Sequence, residues 1–220
     1  MRLPVMNHPL LELPLLKVEA HQVREVLRCL LHTILFHRAL GLVRPRDVDM
    51  ELFDVTYVQC GDAKIERRVE EKVESFCSYV ERRQQTAGQA AFSAQVALSF
   101  YEKKHKHAWF SKQEERLNWE QWRISLDIVR SEEGASAGSS STGAGGSASE
   151  AARAELEARL NEVLMHIVRV VNDKKEHIPP VVSKSTESFP FEISVPNEND
   201  ASFGFTMIRK MLQSTPPSLV

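Results

Sequence analysis

The chain reads as an α+β domain, a largely antiparallel sheet with helices on one face, and three observations predict it. Three separate segments repeat apolar residues at the three-and-four spacing of a helix. Two runs, one through Val96, Leu98 and Phe100 and one through Trp122, Ile124, Leu126 and Ile128, alternate apolar with polar residues and are placed to pair as a hairpin. Helices and strands are interleaved along the chain, yet these central strands are neighbours in sequence.

Each element follows from its own pattern. Residues 10–18 alternate Leu11, Leu13 and Leu15 with Glu12 and Pro14, a short strand that Pro14 confines to a sheet edge. Val23, Val26, Leu27, Leu30, Leu31, Ile34 and Leu35 then form a broad helical stripe, with Arg24, Glu25 and Arg28 opposite and Gly41 placed as a stop. Residues 47–60 read as one long strand whose phase flips at Leu52-Phe53, where a β-bulge would restore the register. Cys60-Gly61-Asp62 supplies a turn and an N-cap for a second helix, with Ile65, Val69, Val73, Phe76 and Val80 on its buried side. Between the two central strands, residues 103–118 read as a finger loop, long enough to carry function. Residues 134–149 hold only Gly, Ala, Ser and Thr, a flexible insertion within one domain and not a boundary. The longest helix follows, striped by Leu156, Leu160, Val163, Leu164, Ile167, Val168 and Val171, with Lys174 and Lys175 near its end. Phe191, Ile193 and Val195 mark a last strand, and 203–212 a half-buried turn or helix.

Composition narrows the function. The 220 residues suit a single domain, with 42% hydrophobic and 26% charged residues and a net charge of -2. Nothing in that balance draws the chain as a whole to nucleic acid or anionic membrane. Three widely spaced cysteines, Cys29, Cys60 and Cys77, form neither a disulfide framework nor a metal knuckle, which favours a reducing compartment. No run approaches the ~18 apolar residues of a membrane span. There is no Gly-rich phosphate loop, no HExxH and no GxSxG. His105 and His107 read as surface or structural histidines, and the carboxylates Asp47, Asp49, Glu51 and Asp54 as solvated side chains. The expectation is a binding protein, not an enzyme, with no cofactor and no metal.

The binding feature is the stretch Phe100-Tyr101-Glu102-Lys103-Lys104-His105-Lys106-His107-Ala108-Trp109-Phe110. Trp119 and Trp122 read as core, Trp122 being in phase with Ile124. Trp109 and Phe110 sit in no apolar periodicity: they either stand in water as anchors or fold back as a lid on the hairpin. Exposed aromatics mark interaction sites, and aromatic anchors dominate interfaces. Lys103, Lys104 and Lys106 would complement acidic partners or lipid headgroups. Five positive against three negative residues over 102–116 leave +2, too little for nucleic acid.

His32-Thr33-Ile34-Leu35-Phe36-His37-Arg38, the run from Asp47 to Val58, Phe100-Tyr101-Glu102-Lys103-Lys104, Trp109-Phe110, Trp119-Glu120-Gln121-Trp122 and, near the end, Pro190-Phe191-Glu192-Ile193 and Arg209-Lys210-Met211-Leu212-Gln213 together resemble the autophagy-related protein 101 family in its plant and algal form. The resemblance covers about residues 6–220. It implies one HORMA domain across 1–220: a mainly antiparallel sheet backed by three helices, with a protruding β-hairpin finger. It also implies a non-catalytic scaffold subunit of the autophagy-initiation kinase complex, cytoplasmic and found at the phagophore assembly site when autophagy is induced. Such a subunit pairs as a heterodimer with the HORMA domain of autophagy-related protein 13. Trp109 and Phe110 match the family's WF finger, which recruits downstream autophagy factors; some members have a residue between the two aromatics and this chain has none. In the family, pairing uses the first helix and nearby sheet, so His32, His37 and Arg38 become candidates for that face. A competing reading makes the basic aromatic finger a peripheral membrane-surface module.

Overall fold

The computed structural model describes residues 8–39, 43–87, 91–108, 111–129, 145–180 and 190–196. The expected stop at Gly41, most of the 134–149 insertion, the 203–212 tail, Trp109 and Phe110 lie outside them.

The elements run β1 (Leu10–Glu12), β2 (Leu16–Glu19), α1 (Val23–His37), β3 (Arg46–Asp49), β4 (Thr56–Gln59), α2 (Ala63–Ala87), β5 (Ala91–Ala108), β6 (Ser111–Val129), α3 (Gly145–Asp173) and β7 (Phe191–Ser194). The main sheet has the order β1–β6–β5–β7, with β2 also on β6. β5 pairs antiparallel with both β6 and β7, while β1 and β2 run parallel to β6. The expected edge strand is therefore two short strands parted at Pro14, whose missing N–H ends the pairing.

Alternation along β5 and β6 gives the sheet two unlike faces. Ala94, Val96, Leu98 and Phe100 are buried with Trp122, Ile124, Leu126 and Ile128. The other face carries polar cross-strand pairs: Ser93 donates to Asp127, Gln95 to Ser125 at 3.2 Å, and Gln121 to Ser99 at 3.1 Å. Such pairs are the unit by which a solvated sheet face is stabilised. α1 is buried nearly all round, taking Cys29, His32 and Thr33 into the core along with its apolar stripe, and it packs against α2, α3 and β4. Its one charged flank faces α2, where Arg24 and Arg28 both reach Glu70.

Two sequence expectations are corrected. Residues 47–60 form no single bulged strand; β3 and β4 pair with each other antiparallel as a separate two-stranded sheet. The phase flip at Leu52-Phe53 is the place where the chain reverses. No Gly, Pro or Asn marks that reversal; helices supply the side-chain acceptors that Asn, Asp or Ser of a turn usually would. The Glu25 carboxylate of α1 accepts the N–H groups of Glu51 (2.7 Å) and Leu52 (3.0 Å), and Glu157 of α3 accepts that of Asp54 (2.9 Å). Phe53 and Val55 are buried beneath. At the far end of β4 the expected turn and cap are present: Gly61 has φ +63 and Asp62 accepts the N–H of Lys64 at 2.8 Å. A Cβ at Gly61 would lie 2.2 Å from the Arg44 carbonyl oxygen, so glycine is required there.

The second correction concerns 103–118. The ladder does not open into a loop; it continues through Lys103↔Arg116 and Lys104↔Glu115 to Ala108↔Ser111. The register shifts once, between Phe100↔Glu120 and Tyr101↔Asn118, which leaves Trp119 as an extra residue on β6. The bulge expected near Leu52 is absent, and this one lies in the middle of the central hairpin, where none is expected.

Candidate partner-binding surfaces

The β5–β6 hairpin changes character at that bulge. Up to it the hairpin is flanked on both sides: β7 pairs with β5 through Phe100, and Tyr101 N–H donates to the Pro190 carbonyl at 3.1 Å. On the other edge, Gln121 N–H donates to the Pro9 carbonyl at 3.1 Å. Past these points, among the described residues, the two strands pair only with each other. Eight register pairs, Tyr101↔Asn118 to Ala108↔Ser111, make a two-stranded ribbon. At ~3.3 Å per residue it is on the order of 25 Å long. Lys103 is an exposed member; Lys104 and Lys106 hold register positions opposite Glu115 and Gln113. Trp109 and Phe110 join the two strands in sequence.

The root of the ribbon is tied to β7, which α2 in turn holds. Arg116 lies 3.7 Å from the Glu192 carboxylate of β7, with its guanidinium 5.0 Å from the Tyr101 ring centre. Arg68 of α2 stacks 4.1 Å from the Phe191 ring centre and donates to the Phe191 carbonyl, a cation held over the electron-rich ring face. Trp119 and Trp122 are both buried, as their phase predicts. Trp119 packs against Phe100, ring centres 5.3 Å apart.

The three residues at the end of α1 expected on a pairing face, His32, His37 and Arg38, separate. His37 is exposed. Arg38 and His32 are each only 2% exposed, so neither presents its side chain to a partner in this structure. The reason for Arg38 is Glu120, a residue that the sequence patterns do not single out. Glu120 is wholly buried on β6, where Arg38 Nε and Nη2 both donate to its carboxylate, the latter at 2.8 Å. Trp122 Nε1 and His177 Nε2 (2.6 Å) complete the shell around the carboxylate. Arg38 turns its remaining donors to the carbonyls of Val171 (3.2 Å) and Lys174 (3.1 Å). These contacts cap the end of α3, where the last carbonyls lack helical partners. One signal for Glu120 is available: it stands in phase with Trp122 and Ile124, so the alternation that buries them buries it too.

His32 sits between α1 and β4, stacked on Tyr57 with ring centres 6.1 Å apart. Burial, aided by the nearby guanidinium groups of Arg28 and Arg46, lowers its pKa to about 4. The folded state therefore holds His32 neutral where the unfolded chain, at about 6.5, would protonate it. Stability should fall as pH drops from about 6.5 toward 4, by on the order of 3 kcal/mol at the low end. His32→Gln should flatten that slope in urea titrations taken at several pH values; an unchanged slope would show that His32 is not its source.

A mainly antiparallel sheet with three helices on its buried face, the last described strand added to its edge and a long central hairpin defines a HORMA-like domain. The family model for Autophagy-related protein 101 matches residues 15–185. Autophagy-related protein 101 of Arabidopsis thaliana is 44% identical over 222 residues, covering 98% of this chain and 100% of that protein. The protein of that name from Schizosaccharomyces pombe is 27% identical over 199 residues, covering 90% and 93%. Its counterpart in Xenopus laevis is 27% identical over 191 residues, covering 81% and 78%. The chain belongs to the autophagy-related protein 101 family, and its role is in autophagy. Among the described residues no helix is long and apolar enough to cross a membrane, and no group of three or more His, Cys, Asp or Glu could hold a metal ion.

Proposed function

We propose that the chain is a non-catalytic scaffold subunit of the autophagy-initiation kinase complex. It pairs with the HORMA domain of autophagy-related protein 13 and recruits downstream autophagy factors through Trp109 and Phe110, acting in the cytoplasm at the phagophore assembly site. The observation that carries this reading is the ribbon: eight paired residues per strand leave the sheet, in a charged sequence with no apolar periodicity, toward one Trp-Phe dipeptide. A hairpin built only for stability gains little from such an extension, since a two-stranded ribbon alone is marginal in water. Lys103, Lys104 and Lys106 would favour an acidic partner surface around the two rings. His37 remains a contributor to the pairing face.

The test is Trp109→Ala combined with Phe110→Ala. Two aromatic anchors should each contribute about 2 kcal/mol to an interface, so losing both should weaken recruitment on the order of a thousand-fold. Thermal stability and pairing with the partner HORMA domain should stay as they are. Unchanged recruitment together with a fall in stability of several kcal/mol would mean that the rings belong to this domain's own core. Salt-sensitive flotation with anionic vesicles that the same double change abolishes would move the finger's target from protein to membrane.

A further inference from the structure

The ribbon's direction is set near its root, because beyond the bulge, among the described residues, no other strand joins its ladder, and contacts that reach it, Tyr101 to Pro190 and Arg116 to Glu192, lie at that root. Bulges bend and twist the strand that contains them, so the conformation of Trp119 and Glu120 decides where the ribbon points. Glu120 is held from below by Arg38 and Trp122, groups sealed inside the domain. His177 holds both bulge residues from outside the sheet. Its Nε2 lies 2.6 Å from Glu120 Oε2, and its ring centre is 6.0 Å from that of Trp119. A carboxylate only accepts, so Nε2 carries the proton and donates. Unlike Arg38, His177 is reachable: its side chain is 21% exposed. It stands in the turn after α3, where Ile178 N–H donates to the Lys175 carbonyl, just before the segment that leads to β7.

We infer that His177 is the positioning residue of the finger: it locks the Trp119–Glu120 bulge and so couples the direction of the β5–β6 ribbon to the turn that follows α3. A partner that moves this turn would free the ribbon, and one that clamps it would fix it. The geometry stands on its own; only the consequence for recruitment rests on the function proposed above.

The experiment uses the full chain with spin labels at Lys72→Cys on α2 and Gln113→Cys on the ribbon. The native Cys29, Cys60 and Cys77 are buried, and burial pushes their thiols up to about 12, 11 and 11. Thiols so far from their thiolate form resist labelling. His177→Ala should broaden or displace the label-to-label distance distribution while thermal stability changes little, because Arg38 and Trp122 still satisfy Glu120. His177→Gln, whose amide reaches Glu120 with a neutral donor, should restore it. Glu176→Ala, at the exposed neighbouring position, should leave it alone. If the ribbon then points correctly a tenth of the time, recruitment weakens about tenfold. An unchanged distribution in His177→Ala overturns the inference, as does a broadening that only follows a general loss of stability. A displaced ribbon with full recruitment would keep the joint and remove the finger's recruiting role.

Discussion

Replacing Arg38 by Met should cost the fold about 3–5 kcal/mol, because it strands a carboxylate at a site with no access to water. Glu120 is 0% exposed and would keep only the Trp122 and His177 donors. Two carbonyls at the end of α3, those of Val171 and Lys174, would lose their donor in the same step. With total stabilities commonly ~5–15 kcal/mol, such a loss leaves a domain close to unfolding. The measurement is urea denaturation, read as a shift in midpoint at constant slope. Glu120→Leu added to Arg38→Met should recover a large part of the loss, since removing both members of a buried pair is far less costly than removing one. A cost below ~1 kcal/mol for Arg38→Met, the range of exposed pairs, would show that the pair is not sealed as described.

The same pair shows where the sequence stops being informative. The helical stripes of α1, α2 and α3 and the alternation in β5 and β6 are local patterns, and each is visible without knowing what the element packs against. Arg38 and Glu120 are 82 positions apart, and no local pattern links them. From the sequence His32 is a candidate for an exposed pairing face, since a stripe of seven apolar residues implies a solvated opposite face. α1 lies beneath both β4 and the other two helices, so its polar residues are enclosed as well. The ribbon escapes the sequence patterns for a different reason. Period-two alternation arises when one face of a strand is buried. The ribbon lies past the last strand that flanks the sheet, and Lys103 to Lys106 carry no such alternation, so they read as loop while the hydrogen-bond ladder runs straight through. In 50–55 only Asp54 hints at a turn, because Glu25 and Glu157 accept the N–H groups that Asn, Asp or Ser side chains of a turn usually take. At the candidate site, the sequence singles out Trp109 and Phe110, and the family resemblance implies a β-hairpin finger; the extent of the ladder that leads to them and the buried cluster at its root are accessible only in three dimensions.

Trp122→Ala should be as damaging as breaking the ion pair, and it allows packing to be separated from polarity. Trp122 is fully buried on the central strand, opposite Leu98 in the register. Removing the ring leaves a cavity, with an expected cost of about 3–5 kcal/mol. Its indole N–H also donates to Glu120. Hydrogen bonds to charged groups contribute roughly 1.5–3 kcal/mol. Trp122→Phe keeps most of the ring and removes the donor, so its cost should fall near that lower range. In the Arg38→Met background the comparison sharpens. There Glu120 depends more heavily on the indole, and Trp122→Phe should cost more than it does alone, a coupling of ~0.5–3 kcal/mol that a double-mutant cycle resolves. Strict additivity would mean that the indole and the guanidinium hold the carboxylate independently, and that the buried cluster does not act as one unit.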